Sequence, residues 1–268
     1  MRSAKLSLVQ FQSILYDLDK NIEKAISYID KAKEKHADLV IFPELFLSGY
    51  NPDMVSQQYF DYAININENS RLLSTFKNKA KENSINLIVP LSTYKALPGV
   101  IYNSAIVIDR NGEVIGCYDK THLWAGERNH FRHGDDYPVF DLDIGRVGIM
   151  ICYDGGFPEV SRNLALAGAE LILCPSAFPI QDKDMWDIYF KARALENTCF
   201  TIGVNRVGEE GSIHLFGNNK VVNPRGEVLL DAPIDAEDMQ LVEVDLNSIK
   251  KYRKDIPFLR DRKIAYSL

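Results

Sequence analysis

Apolar and polar positions follow two periods along this chain, and their order sketches its elements. Leu6 to Phe11 is a short apolar run that predicts a strand. From about Asp19 the residues Ile22, Ala25, Ile26, Ile29 and Ala32 repeat at helical spacing. Leu39 to Phe42 predicts a buried strand that Pro43 stops. After an irregular stretch through Asn51, Pro52 and Asp53, helical spacing returns at Leu72, Phe76 and Ala80, and Asn86 to Leu91 predicts a further strand. Asn111-Gly112 then divides Ile101–Ile108 from Glu113–Tyr118, the pattern of an antiparallel hairpin.

The succession recurs downstream. Val147, Ile149 and Ile151 predict a strand, Pro158 opens a helix through Leu164 and Leu166, and Leu171 to Cys174 is the next strand. A helix around Trp186 to Glu196 and a strand at Cys199 to Val204 follow. A turn at Asn223-Pro224-Arg225-Gly226 joins strands at Lys220–Val222 and Glu227–Leu230, and Met239 to Val244 predicts one more. Two halves of like organisation without a close sequence repeat fit an α/β fold in which two stacked mixed sheets carry helices on their outer faces, a four-layer α-β-β-α sandwich. No Pro/Gly/Ser-rich linker divides residues 1–268, which predicts a single domain. The tail, about 252–268, is rich in Arg and Lys around Pro257-Phe258-Leu259, has few ways to pack alone, and is expected to dock on a second subunit.

Charge narrows the partners. With 31 Lys and Arg against 37 Asp and Glu the net charge is −6, which argues against nucleic acid, and the acidic cluster from Asp231 to Asp238 reads as a solvated loop. The start MRSAKLSLVQFQ lacks the apolar run of a signal peptide, and no stretch of about 18 apolar residues follows, so no membrane span and a cytoplasmic location are expected. Cys117, Cys152, Cys174 and Cys199 are far apart with no C-x-x-C pair, a distribution of free thiols.

Cys152 stands out among them. It closes the strand of RVGIMICYDGGFPE at the carboxyl end, where α/β proteins place their chemistry, and a turn follows through Gly155 and Gly156, which can take backbone conformations closed to other residues. Unpaired N–H groups and a helix start at Pro158 and Glu159 would favour its thiolate. Cys117, Cys174 and Cys199 lie in apolar strands and read as core. Glu44 ends another strand among Leu45, Phe46 and Leu47, costly company for a carboxylate without a task, unless it turns outward to solvent. Lys120 follows a third strand. His122, His130 and His133 match no common metal spacing, and Trp124 and Trp186 suit either a pocket wall or packing.

Together Glu44, Lys120 and Cys152 resemble the Glu-Lys-Cys triad of the nitrilase, or carbon–nitrogen hydrolase, superfamily, in its chain order. FPELFLSGY, YDKTHLW, ERNHFRHGD, ICYDGGFPE, ARALEN, NPRGE and the tail LRDRK are similar to family motifs, so the resemblance spans essentially the whole chain. It implies the four-layer fold and hydrolysis of a small amide through a thioester on Cys152. Glu44 would act as general base and acid, Lys120 and the Tyr153 backbone N–H as oxyanion stabilisers, and Glu127 as a supporting second glutamate. No metal or organic cofactor is implied, and a homodimer or higher homo-oligomer is.

Tyr153-Asp154 stands where true nitrilases usually carry Trp-Glu, which resembles the amide and N-carbamoyl branches. Enzymes of N-carbamoyl amino acids have arginines just after the cysteine, where this chain has Gly155 and Gly156, so a neutral or cationic amide is expected unless Arg128 or Arg132 supplies an anion site. N-carbamoyl hydrolysis, nitrile hydrolysis, acyl transfer and a non-catalytic binding role stay open as alternatives.

Overall fold

The computed structural model describes residues 2–263. The first half runs β1 (Ser3–Gln10), α1 (Leu18–Glu34), β2 (Leu39–Ile41), α2 (Pro52–Asp61), α3 (Arg71–Asn83), β3 (Asn86–Tyr94), β4 (Ile101–Ile108) and β5 (Val114–Asp119). The second runs β6 (Val139–Leu142), β7 (Gly145–Ile149), α4 (Pro158–Leu166), β8 (Leu171–Ser176), α5 (Lys183–Asn197), β9 (Phe200–Asn205), β10 (Val207–Glu210), β11 (Ile213–Phe216), β12 (Lys220–Val222) and β13 (Val228–Asp231). β14 (Asp238–Asp245), α6 (Ser248–Asp255) and α7 (Phe258–Asp261) complete it.

The strands form two six-stranded sheets, ordered β14-β1-β2-β3-β4-β5 and β13-β12-β9-β8-β7-β6, with β10 and β11 as a separate hairpin. Each large sheet has three parallel strands at its centre, β1-β2-β3 and β7-β8-β9, flanked by antiparallel ones. Period-two alternation assigns the layers. Leu6, Leu8, Leu39 and Ile41 face the core between the sheets with Val147 and Ile149, whereas Val9, Val40 and Phe42 face outward onto Ala25 and Ile29 of α1 and Phe76 and Ala80 of α3. The result is the expected α-β-β-α sandwich of two stacked mixed sheets.

α5 lies tight on its sheet. A Cβ at Gly203 of β9 would lie 2.5 Å from the Phe190 ring and 2.8 Å from that of Trp186, so only glycine admits this helix position. Trp186 is fully buried there with its indole N–H donating to the Asn218 carbonyl at 3.0 Å, which makes it packing rather than pocket wall.

The α2 segment and the short strands β6, β10 and β11 differ from the sequence expectation. The irregular stretch after Asn51 is the start of α2: the Asn51 side chain accepts from the Asp53 N–H at 3.0 Å and Pro52 occupies the first turn. Its period is faint because Val55 and Tyr59 alone are buried in it. The four-residue strands β6, β10 and β11 are too short for periodicity to register. The tail, expected to dock on a second subunit, also has contacts with its own chain up to residue 263: α7 rests on α5, Ile256 is buried, and Arg253 donates to the Ala169 carbonyl at 3.2 Å. Residues 264–268 of that expectation lie outside the described residues. Among the described residues no helix is long and apolar enough to cross a membrane.

Candidate active site

The carboxyl ends of β2, β5 and β7 deliver the three predicted residues to one place. Glu44, two residues beyond Phe42, is fully buried, which rules out its outward-turned alternative. Its Oε1 accepts from Lys120 Nζ at 2.7 Å and Asn103 Nδ2 at 2.7 Å, and its Oε2 from the Ala177 N–H at 2.8 Å. Lys120 follows β5 directly and is also fully buried. Its ammonium donates a second 2.7 Å bond to Glu127 Oε1, an atom that also accepts from the Tyr50 hydroxyl at 2.6 Å. Glu127 sits on a single 3-10 turn, Ala125–Asn129, where its other oxygen accepts from the Trp124 N–H at 3.2 Å.

Two carboxylates therefore share one ammonium away from water. Burial alone would lower the Lys120 pKa, but Glu127 and Glu44 override it and hold the ammonium charged well above the ordinary value. Burial raises the Glu127 carboxyl in spite of Lys120. A raised pKa makes the ammonium a poor general acid, and it serves as a positive charge that hydrogen-bonds both carboxylates.

Cys152 lies three residues past β7, buried, with φ +48°. The cysteine itself, rather than Gly155 or Gly156, takes the left-handed conformation, a strained arrangement for a residue with a Cβ. Tyr189 of α5 reaches this turn: a Cβ at Gly156 would lie 3.3 Å from its hydroxyl and one at Gly155 3.6 Å from its ring, an ordinary van der Waals distance. The expected thiolate is also corrected. Burial and then the Glu44 carboxylate raise the Cys152 thiol well above its ordinary value, outweighing Lys120, so the resting thiol is protonated.

Asp154 ties this turn to the Lys120 loop. It is fully buried; Oδ2 accepts from the Tyr118 hydroxyl at 2.7 Å and the Ile151 N–H at 2.9 Å, and Oδ1 from the Thr121 hydroxyl at 3.0 Å and the His122 N–H at 2.9 Å. The His122 ring nitrogen Nδ1 is also 2.9 Å from Oδ1, and the ring stacks on Phe157 at 3.8 Å, so His122 belongs to this clamp. Among the described residues no three His, Cys, Asp or Glu side chains group as metal ligands.

The carbon–nitrogen hydrolase family model matches residues 5–254. The chain belongs to that family. It is an enzyme of the nitrilase superfamily. A probable nitrilase of Schizosaccharomyces pombe is 34% identical over 97% of this chain and 95% of its own. Nit3 of Saccharomyces cerevisiae, a member of branch 10 of the superfamily, superposes with a TM-score of 0.90 at 27% identity, covering 98% of this chain and 97% of that one. A mutant amidase from Nesterenkonia sp. AN1, carrying the acetamide moiety of fluoroacetamide on its active-site cysteine, superposes at 0.84 with 26% identity, covering 97% and 94%.

In this carbon–nitrogen hydrolase a cavity of about 570 Å³ opens over Cys152. Trp124 lines it, as one of the two sequence readings held; Arg128 and Arg132 do not, and both are exposed. Sequence reading passed over several supports. Asn103 is a polar residue within the apolar strand IYNSAIVI, a signal that could have been used. Tyr50 ends the FPELFLSGY motif. Glu210 reads as an ordinary surface glutamate beside Glu209, yet it is buried, pairs with Arg206, and accepts from the Tyr50 and Asn51 N–H groups at 2.7 and 2.8 Å. A chain of contacts thus runs from Arg206 through Glu210, the Tyr50 backbone and the Tyr50 hydroxyl to Glu127 and Lys120.

Proposed function

We propose that this hydrolase cleaves the C–N bond of a small amide through a thioester on Cys152, releasing ammonia or an amine. The observation that carries the reading is the fully buried Lys120 ammonium held 2.7 Å from both Glu44 and Glu127 beside the cavity that contains Cys152. Glu44 takes the thiol proton as Sγ attacks the carbonyl carbon, which the protonated resting thiol requires. Lys120 and the Tyr153 N–H offset the negative charge that develops on the carbonyl oxygen. The intermediate collapses, the C–N bond breaks, and the proton held by Glu44 passes to the departing nitrogen. Water, deprotonated by Glu44, then attacks the thioester carbon; Cys152 leaves as thiolate and recovers the proton. Glu127 is a positioning residue, since it reaches Lys120 rather than the thiol.

An amide rather than a nitrile is favoured by Tyr153-Asp154 after the nucleophile, and the Nesterenkonia amidase lends support through its adduct on the active-site cysteine. The active unit is proposed to be a homodimer, on the family resemblance, and its four free thiols suit a reducing, cytoplasmic setting; a monomeric mass in light scattering overturns the first. The test is ammonia release from a panel of small amides, N-carbamoyl compounds and nitriles, beside Cys152→Ala. Turnover of amides that the variant lacks is expected. Exclusive turnover of nitriles, or none by the intact enzyme, overturns the reading.

A further inference from the structure

We infer that the cavity contains a cation subsite centred on Asp182, selecting amides whose chain ends in an ammonium remote from the scissile bond; this rests on the amide reading above. Among the described residues Asp182 is the only carboxylic side chain of the lining, and no Lys, Arg or His lines the cavity. It makes no cap hydrogen bond to α5, the helix it precedes, and the adjacent Lys183 is turned to Asp187 at 2.7 Å. Arg193 farther along the same helix is engaged with the Gly155 and Gly156 carbonyls at 3.1 and 3.2 Å and with Glu196. Among the described residues no Lys, Arg or His thus pairs with the Asp182 carboxylate at this cavity wall.

Helical spacing sets its distance from the chemistry. Asp182, Met185 and Tyr189 stand at i, i+3 and i+7, one stripe of side chains, and all three line the cavity. Tyr189 marks the nucleophile end, against Gly155 and Gly156. Seven residues at 1.5 Å each put Asp182 about 10 Å along the axis from Tyr189. A chain of several methylenes spans that gap, and it passes the rings of Trp124, Tyr153, Phe178 and Tyr189, whose faces attract a cation.

The makeup of the lining points the same way. Among the described residues no basic side chain lines the cavity to receive a substrate carboxylate, which would meet the Asp182 carboxylate instead. An ammonium gains there.

The test compares three amides of one chain length, 5-aminopentanamide, hexanamide and adipamic acid, which end in ammonium, methyl and carboxylate. The expected kcat/KM order is ammonium, methyl, carboxylate, with about tenfold between the first two, carried by KM. Asp182→Asn is expected to bring the ammonium-to-methyl ratio close to one, and Asp182→Lys to move the preference toward adipamic acid. Equal turnover of ammonium and methyl amides by the intact enzyme, or a ratio that survives Asp182→Asn, overturns the subsite. Calorimetric binding of 5-aminopentanamide and hexanamide to Cys152→Ala separates this from the hydrolytic reading. If no amide is turned over but Cys152→Ala still prefers the ammonium and loses that preference with Asp182→Asn, the subsite stands and the amidase reading falls; no preference in binding overturns the subsite as well.

Discussion

Cys152 joins a left-handed backbone to a thiol kept protonated by burial and by Glu44, so its reactivity in the free enzyme depends on a base rather than on a low pKa. Alkylation of Cys152 by iodoacetamide, followed by peptide mass spectrometry, is expected to be still rising at pH 9, the ordinary thiol value; a plateau near neutrality would contradict it. Glu127 gives a second expectation at this scale. Its carboxyl is raised on folding, by burial first, with Lys120 opposing. A carboxyl raised in this way contributes stability below its unfolded value of 4.5 and loses it as pH climbs through the folded value. Glu127→Gln removes that loss. Urea melts at pH 5 and pH 8 should show the variant gaining on the wild-type enzyme as pH rises, while kcat falls because Lys120 is no longer held from both sides; a constant stability difference would sink the first half.

At the scale of elements, the β10–β11 hairpin does two jobs through Glu210 and its own tip. Ser212 and Ile213 line the cavity, while Glu210 fixes the Tyr50 and Asn51 N–H groups at the start of α2 and neutralises Arg206. The Arg206 Nε and Nη1 atoms already lack partners, so removing Glu210 leaves a buried cation with nothing opposite it. Glu210→Ala is expected to cost about 3–5 kcal/mol in denaturant unfolding and to lower kcat, whereas Glu210→Gln, which keeps an acceptor for both N–H groups, should lose less. A change within about 0.5 kcal/mol for the alanine variant, the size of an ordinary surface substitution, would show that the hairpin is not so anchored.

The whole molecule is closed by its last strand. β14 pairs antiparallel with β1 from Ser3↔Asp245 to Gln10↔Asp238, so chain from beyond the second sheet completes the first. A chain ended before Asp238 leaves β1 as an open edge and uncovers the core beneath Leu6 and Leu8, where Val244 and Leu246 also pack. Such a chain is expected to lose cooperative unfolding by circular dichroism and to aggregate; a sharp native-like transition would refute the dependence of one sheet on the other half's strand.

Much of this enzyme was set locally and is readable without coordinates. Period-two and helical spacing placed the central strands and α1, α3, α4 and α5, Asn111-Gly112 placed the β4–β5 hairpin, and Glu44, Lys120 and Cys152 each stand just past a strand end, where a local pattern exposes a functional residue. What needed the tertiary structure depends on residues distant in the chain. The Cys152 thiol is raised because folding buries it and brings Glu44 from another sheet; Glu210 is buried because a hairpin folds onto the start of α2; Tyr189 of α5 comes to rest at the turn of Gly155 and Gly156; and β14 finds β1 across almost the whole sequence. Desolvation, charge proximity and close packing are sums over neighbours that only the folded chain brings together.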